Sequence, residues 1–272
     1  MSEFHLARAY DTVNVWRAGA AAKIELNRPE TMNAWNRQFG LDLLDAIQQA
    51  AGDDDVRAVL LTGSGRGFSS GADLKDMGMQ DLTPDGRPDV YKVLTERYHP
   101  IITGIREMPK PVVAAVNGPC VGIGLSLALA SDLVVACRSA YFLLAFVNIG
   151  LVPDGGSSLF VPSRVGLARA TEMAMLGERI GAARAQEWGL INRTVDDDDF
   201  DDETTALLQR LAAGPTASYA GTKRQLNHWL YTRMEEQLEL EARIQQEMAG
   251  SADFVEGVAA FTQKRPAAFG GR

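Results

Sequence analysis

The chain has 272 residues, of which 46% are hydrophobic and 23% charged, so it can form one large domain or two ordinary ones with a packed core. Its formal net charge of −8 argues against nonspecific binding to nucleic acid or to an anionic membrane. The N-terminal segment MSEFHLARAY lacks the apolar core of a secretory signal, and the two cysteines, Cys120 and Cys137, lie in apolar sequence. We therefore expect a cytoplasmic protein with buried free thiols and no membrane span.

The first two thirds of the chain alternate between apolar strand patterns and helical patterns. The predicted elements, in chain order, are a hairpin at 13–26, a helix at 36–51, a strand at 58–62, a glycine-rich loop at 63–74, a loop at 76–90, a helix at 91–108, a strand at 112–116, a second glycine-rich turn at 117–124, a helix at 125–131 and a strand at 133–136. This alternation predicts an α/β fold.

The last quarter of the chain differs from the rest. An acidic run at 196–203 is typical of a solvated boundary. Beyond it the periodicity predicts three helices, at 204–213, 219–249 and 254–263. We therefore expect a core of residues 1–197 and a helical module of residues 198–272 that serves assembly.

Two glycine-rich loops are the first candidates for a binding site. The loop at 63–74 lacks the Lys-Ser/Thr ending of a P-loop and the glycine spacing of a dinucleotide site, so taken alone it favours a structural turn. The small residues at 118–124 allow close packing at a helix start, or leave backbone N–H groups facing an anion. Both loops follow a short apolar strand. If those strands are neighbours, the loops emerge side by side and can offer the two facing amides of an oxyanion hole.

The sequences GFSSGADL at 67–74 and KPVVAAVNGPCVGIGLSLALASD at 110–132 resemble the paired signature of the enoyl-CoA hydratase/isomerase (crotonase) superfamily. The resemblance extends over nearly the whole chain in the family's order, through LNRPETMNAWN, IGLVPDGGSSLFVPSRVG, GERIGAARAQEWGLIN and EGVAAFTQKRP. It implies a ClpP-like ββα spiral core with a C-terminal helical trimerisation module, and a homotrimer or a hexamer of paired trimers. It also implies an acyl-CoA thioester as substrate, with coenzyme A carried in that substrate, no separate cofactor and no metal.

The resemblance assigns the two oxyanion amides to Ala72 and Ile123. Many family members carry Gly at the second position, but an amide donor needs no particular side chain, so Ile keeps the donor while narrowing the pocket. The positions that the resemblance implies for substrate binding are Arg28, Ser70, Gly71, Asp73, Leu74, Lys75, Gly122, Phe146 and Lys264. For each of the cations among them, a solvated surface charge is an equally good interpretation.

The carboxylates distinguish the branches of the superfamily. The two glutamates of the hydratases fall on Ser126 and Phe146, and neither side chain exchanges a proton usefully at neutral pH. Asp154 stands where several branches place a single catalytic Asp or Glu, among them Δ3,Δ2-enoyl-CoA isomerases, oxepin-forming ring isomerases and aryl-CoA dehalogenases. Without the resemblance, Asp154 would be read as a turn or helix-cap residue. We therefore predict an acyl-CoA isomerase with Asp154 as its only proton carrier.

Other functions stay open on the sequence alone. They are an enoyl-CoA hydratase with an atypical residue set, a hydrolase or dehalogenase that uses Asp154 and His99, and a non-catalytic acyl-CoA-binding protein. His99 and Ser126 are secondary candidates, and a place on the helix surface or in the pocket wall is favoured for His99. The acyl pocket is expected to be lined by Met77, Met79, Leu82, Tyr91, Leu94 and Tyr98.

Overall fold

A seven-stranded sheet lies at the centre of the computed structural model, which describes residues 3–75 and 81–272. The strands, in chain order, are β1 (His5–Ala9), β2 (Val13–Ala18), β3 (Ala21–Leu26), β4 (Ala58–Gly63), β5 (Val112–Val116), β6 (Cys120–Val121), β7 (Leu133–Cys137), β8 (Tyr141–Leu143), β9 (Ile180–Gly181) and β10 (Arg193–Val195). The large sheet has the order β1-β2-β3-β4-β5-β7-β10, and β6, β8 and β9 form a small second sheet.

Helices connect these strands and make up the C-terminal part of the chain. They are α1 (Arg37–Gly52), α2 (Val90–Val93), α3 (His99–Glu107), α4 (Ile123–Ala130), α5 (Ser157–Leu176), α6 (Ala182–Glu187), α7 (Phe200–Ala213), α8 (Thr216–Leu230), α9 (Met234–Met248) and α10 (Ala252–Gln263). A π-helical turn, Leu94–Tyr98, joins α2 to α3, and a 3-10 turn, Ala145–Ile149, precedes α5.

The pairing of the central strands follows from their composition. β5 is buried along its whole length and β4 along nearly all of it, as expected for strands covered on both faces of a parallel sheet. They pair in parallel, with Val59 opposite Val112 and Thr62 opposite Ala115. Neighbouring parallel strands end at the same edge of a sheet, so the segments that follow β4 and β5 start side by side. The predicted α/β fold is confirmed.

Most predicted elements of the first half are present, with shifted ends. The predicted hairpin is β2 and β3, which turn through Gly19 at a φ of 57°. Strand β1 was not predicted, because its five residues are all exposed and give no alternation of burial. The expected pocket residues Met77 and Met79 lie outside the described residues.

The prediction of one helix over 219–249 is wrong. The chain leaves the helical conformation at Tyr231 and forms two helices, α8 and α9. The Tyr231 ring packs edge-on against Phe160, with 5.2 Å between ring centroids, and its hydroxyl lies 3.1 Å from the hydroxyl of Ser163. Tertiary contacts therefore override the local preference for one continuous helix.

The C-terminal helices pack against the remainder of the same chain. On α8, the buried Lys223 ammonium lies 2.9 Å from the Asp132 carboxylate. On α10, Gly257 lies so close to the 3-10 turn that a Cβ there would be 2.6 Å from the backbone of Ile149. Their role in assembly, and the division of the chain at residue 197, stay predictions. Among residues 3–75 and 81–272, no helix has both the length and the apolar character needed to span a membrane.

Candidate active site

The two glycine-rich loops lie against each other, as their positions after β4 and β5 predicted. The Ser69 N–H donates to the carbonyl of Pro119 at 3.0 Å, and the Val121 N–H donates to the carbonyl of Ser69 at 2.9 Å. Gly71, at a φ of 91°, and Gly124 permit this approach. A Cβ on Gly124 would lie 2.6 Å from the Cβ of Ser69, so this contact excludes any larger residue.

The amide of Ala72 is free of the contacts that hold its loop. Ala72 forms an isolated parallel bridge with Trp35. The bridge runs through the neighbours of Ala72, because the Trp35 N–H donates to the Gly71 carbonyl at 2.8 Å and the Asp73 N–H donates to the Trp35 carbonyl at 2.9 Å. Arg28 braces the same loop, since its guanidinium lies 3.2 Å from the Asp73 carboxylate. The Ala72 N–H is thus outside the hydrogen bonds of this bridge.

The amide of Ile123 begins a helix. Ile123 is the first residue of α4, and the first N–H groups of a helix have no carbonyl of their own helix to bond. Its predecessor Gly122 has a φ of 55° and donates its own N–H to the Leu143 carbonyl at 2.9 Å. The Ile123 N–H therefore lies at the positive end of the α4 dipole, beside the loop that carries Ala72.

Asp154 is a buried carboxylate with one unpaired oxygen. Its side chain does not cap α5, whose N-cap is Gly156, so the helix-cap interpretation of this side chain is wrong. The Oδ2 atom accepts from Gln245 Nε2 at 2.7 Å. The Oδ1 atom is buried and has no hydrogen-bond partner within the part of the chain that the structure describes.

Burial raises the pKa of Asp154 to about 8. The hydrogen bond from Gln245 opposes this rise, and the charge of Glu241 adds to it. Buried carboxyl groups favour their neutral form because the charged form loses hydration. The resulting pKa is suited to a group that both takes and returns a proton near neutral pH.

The turn that carries Asp154 lies directly on the first turn of α4. Gly155 has a φ of 60°, and a Cβ there would overlap Ile123 Cδ1 and lie 3.0 Å from Ser126 Cβ. The Ser126 hydroxyl donates to the Asp154 carbonyl at 2.7 Å. The structure thus brings the Asp154 turn together with Ile123, and Ile123 with the Ala72 loop.

Two buried polar residues of α9 were missed by the sequence predictions. Gln245 donates to Asp154 and accepts from the Val152 N–H at 3.1 Å through its Oε1. Glu241 accepts from the Gly156 N–H at 2.8 Å and from the Ser158 N–H at 3.1 Å, which caps the start of α5. Burial raises the pKa of Glu241 to about 7. One signal was available, because Glu241 and Gln245 follow Leu238 at the helical spacing of a buried face.

The positions that the resemblance gives to the hydratase glutamates carry no carboxylate. Ser126 is fully buried, and its hydroxyl donates a hydrogen bond to the Asp154 carbonyl. Phe146 is 7% exposed and lies beside Gly122, where a Cβ would be 3.9 Å from its ring. Ser126 thus lies against the Asp154 turn and Phe146 beside Gly122, and neither adds a titratable group.

Of the expected acyl-pocket residues, Leu94 and Tyr98 are buried, and Leu82 is 51% exposed. Tyr98 packs edge-on against Trp35, with 5.0 Å between ring centroids. His99, the next residue in the chain, is also buried, and burial lowers its pKa to about 4 although the charge of Glu239 opposes the change. His99 is therefore neutral at physiological pH.

The remaining predicted substrate contacts are only partly brought together. Ser70 lies on the Ala72 loop and donates its hydroxyl to the Thr31 carbonyl at 2.9 Å. Leu74 is half-buried on that loop, and Lys75 is exposed at its end. Lys264 ends α10 in an exposed left-handed conformation, and no hydrogen bond or ion pair within the described residues joins it to the two loops. The substrate contacts of these residues stay predictions.

Known proteins resemble this chain over most of its length. Residues 17–272 match the sequence profile of the family described as enoyl-CoA hydratase/isomerase. A probable enoyl-CoA hydratase of Rhodobacter capsulatus is 44% identical over 97% of this chain and 100% of that protein. The 1,2-epoxyphenylacetyl-CoA isomerase of Escherichia coli is 39% identical over 92% of this chain and 94% of that protein. The crystal structure of an enoyl-CoA hydratase from Mycobacterium avium subsp. paratuberculosis superimposes with a TM-score of 0.87 at 36% identity, covering 96% of this chain and 99% of that one.

Proposed function

The chain belongs to the enoyl-CoA hydratase/isomerase (crotonase) family, and from this premise we propose that it is an acyl-CoA isomerase with one proton-carrying residue. The observation that carries the proposal is Asp154, whose Oδ1 atom is buried and unpaired among the described residues. Its pKa of about 8 lets the carboxyl group hold a proton or release it near neutral pH.

The amides of Ala72 and Ile123 supply the electrostatic half of the mechanism. When a proton leaves the α-carbon of a thioester, negative charge develops on the carbonyl oxygen. Two N–H donors that point at this oxygen stabilise the enolate, and the loss of one such donor typically costs about 2.7–4 kcal/mol of transition-state stabilisation. The position of Ile123 at the start of α4 adds the favourable end of a helix dipole.

Asp154 supplies the proton-transfer half. The carboxylate takes a proton from C2 of a 3-enoyl thioester, and the electrons of that C–H bond pass into a dienolate whose oxygen lies between the two amides. The carboxylic acid then returns the proton to C4, which leaves the double bond between C2 and C3. The apolar wall that includes Phe146 limits competition from water.

The substrate is an acyl-CoA thioester, either a linear 3-enoyl thioester or a ring-derived one. The second class is favoured by the likeness to the 1,2-epoxyphenylacetyl-CoA isomerase. This chemistry needs no cofactor and no metal, because coenzyme A arrives as part of the substrate. We also propose a homotrimer or a dimer of trimers in the cytoplasm, without nucleic acid or membrane partners.

Hydration is the nearest rival, and one relative is named a probable enoyl-CoA hydratase. Addition of water by the two-carboxylate route needs one group that activates the water and a second group that delivers a proton to the α-carbon. Ser126 and Phe146 occupy the positions that resemble those of the hydratase glutamates, so neither can activate water there. This pair of residues is the reason for preferring isomerisation.

The proposal is tested with the Asp154→Asn variant on a panel of 3-enoyl-CoA, 2-enoyl-CoA and aryl-derived CoA thioesters. We expect the variant to bind the thioesters with an unchanged Kd and to lose isomerase turnover. We expect the native protein to hydrate crotonyl-CoA slowly, if at all. Near-normal isomerisation by the variant, or brisk hydration by the native protein, would overturn the proposed function.

A further inference from the structure

We propose that Gln245 of α9 is a positioning residue for Asp154, and that it restricts the transferred proton to a single carboxylate oxygen, Oδ1. The inference rests on the proposed function, in which Asp154 carries the proton. It assigns to the C-terminal helices a part in the chemistry of their own chain, in addition to any part in assembly.

The hydrogen bonds of Gln245 fix its orientation. The backbone N–H of Val152 can only donate, so the atom of Gln245 that it meets at 3.1 Å must be the carbonyl oxygen Oε1. The amide nitrogen Nε2 is thereby directed at Asp154 Oδ2, 2.7 Å away. An amide NH₂ group can only donate, so Oδ2 must act as an acceptor.

This arrangement makes the two oxygens of Asp154 unequal. A proton on Oδ2 would face the N–H donor of Gln245, so protonation is confined to Oδ1. Oδ1 is also the oxygen that is left without a partner in the described residues. The oxygen that takes the proton from C2 is therefore the oxygen that returns it to C4, and the carboxyl group does not need to rotate between the two steps.

A second contact holds α9 in register with the Asp154 turn. Glu241 lies one helical turn before Gln245 and accepts from the backbone N–H groups of Gly156 and Ser158, at 2.8 and 3.1 Å. Gln245 thus binds the backbone before Asp154, at Val152, and Glu241 binds the backbone after it, at Gly156 and Ser158. A rigid support of this kind is what a catalytic group needs if it is to keep one geometry through two proton transfers.

Few groups around Asp154 can titrate. The elements packed against it contribute Ser126 from α4, Ser157 from α5, and Gln245 and Glu241 from α9. Glu241 is the one ionisable group among these, and its charge raises the pKa of Asp154. The hydrogen bond from Gln245 lowers that pKa, so its removal raises the pKa further.

The test compares Gln245→Met with Gln246→Met. The neighbouring Gln246 also makes one accepted and one donated hydrogen bond, but both go to backbone atoms: it accepts from the Tyr91 N–H at 3.0 Å and donates to the Pro88 carbonyl at 3.2 Å. For Gln245→Met we expect kcat to fall by roughly ten- to a hundredfold, by analogy with the loss of other supporting hydrogen bonds, with little change in KM. We also expect the acid limb of its pH profile to move upward by roughly one pH unit. Gln246→Met should leave that limb in place.

Gln245→Glu is a second variant that keeps the test decisive if Gln245→Met fails to fold. Gln245→Glu keeps the shape of the side chain and an acceptor for the Val152 N–H, but it places a carboxyl oxygen against Asp154 Oδ2. The two acids must then share a proton, and the acid limb should again move to higher pH. The inference would be overturned if both Gln245 variants kept the acid limb of the pH profile at the pH of the native protein and lost no more kcat than Gln246→Met.

The titration of Asp154 can also be followed without substrate. Aspartate labelled with ¹³C at the side-chain carboxyl gives one NMR signal per residue, and Asp154→Asn identifies the signal of Asp154. We expect its titration to move upward in Gln245→Met, whatever reaction the protein catalyses. An unmoved titration would contradict the role of Gln245 even if the isomerase proposal holds. Isomerase activity retained by Asp154→Asn would instead contradict the proposed function and leave the titration result intact.

Discussion

The two halves of the candidate site are built in different ways. The amides of Ala72 and Ile123 follow adjacent strands of one sheet, and close glycine contacts fix the distance between their loops. The carboxylate of Asp154 depends on a side chain that lies 91 residues further along the chain. Backbone donors tolerate changes of their own side chains, whereas the carboxylate depends on the identity of distant residues. The amide half should therefore fail when backbones are pushed apart, and the carboxylate half when charge or hydrogen bonding changes.

Among substitutions that leave Asp154 in place, the largest effect is expected from Gly124→Ala, which acts on the amide half. The new Cβ would lie 2.6 Å from Ser69 Cβ, so the two loops must separate. We expect kcat to fall by about 10²- to 10³-fold, the size typical of losing one oxyanion donor. Gly221→Ala is the matched control, because an added Cβ there meets nothing within 4 Å and the residue is also helical. Steady-state kinetics that find the two variants equally active would contradict the backbone account of this half.

The next effect concerns stability and belongs to the carboxylate half. The pKa of Asp154 is raised from 3.8 to about 8 in the folded protein, so between these values the folded state binds more protons than the unfolded state. The free energy of unfolding therefore falls as pH rises through this range. Asp154→Asn removes this dependence. We therefore expect the free energy of unfolding of the variant, relative to that of the native protein, to increase from pH 5 to pH 8.5 by roughly 2 kcal/mol or more.

Urea denaturation of both proteins across this pH range measures the difference. Glu241 contributes to the pH dependence of both proteins in the same direction, because burial also raises its pKa, to about 7. The comparison therefore has to be made between the two proteins at each pH. A difference that stays constant with pH would mean that Asp154 ionises normally in the folded protein.

A smaller effect is expected in the pH dependence of turnover. The base must be ionised before it can take a proton, and with a pKa of about 8 only a minority of Asp154 is ionised at pH 7. We expect kcat/KM for a 3-enoyl-CoA to rise by about tenfold between pH 7 and pH 9 and then to level off. An activity already at its plateau at pH 6 would show that the free enzyme holds Asp154 ionised.

The smallest effect is expected at His99. Because burial lowers the pKa of His99 to about 4, the ring is neutral at working pH and contributes no charge to the site. We expect His99→Gln to keep kcat/KM within about threefold of the native value, in line with a pocket-wall position. A loss of a hundredfold or more, with Kd unchanged, would instead favour hydrolytic chemistry that uses Asp154 and His99 together.

The contrast between the amide half and the carboxylate half also explains which parts of the site could be predicted from the sequence. Apolar runs followed by glycines predict the two loops, and the pairing of β4 with β5 brings the loops together. The position of Asp154 came from the family resemblance. Only the fold shows that its Oδ1 atom is buried and lacks a hydrogen-bond partner among the described residues. Gln245 and Glu241 lie on a helix that is rich in polar residues, so their helical spacing from Leu238 is only a weak signal of burial. Only the packing of α9 on the turn before α5 identifies them.

The most direct measurement follows the transferred atom itself. A 3-enoyl-CoA deuterated at C2 is converted in ordinary water, and the 2-enoyl product is analysed for deuterium at C4 by NMR. A single buried carboxyl group that takes and returns the proton predicts that part of the deuterium appears at C4, and that Asp154→Asn forms no product. A product with no deuterium at C4 would contradict transfer by Asp154 alone.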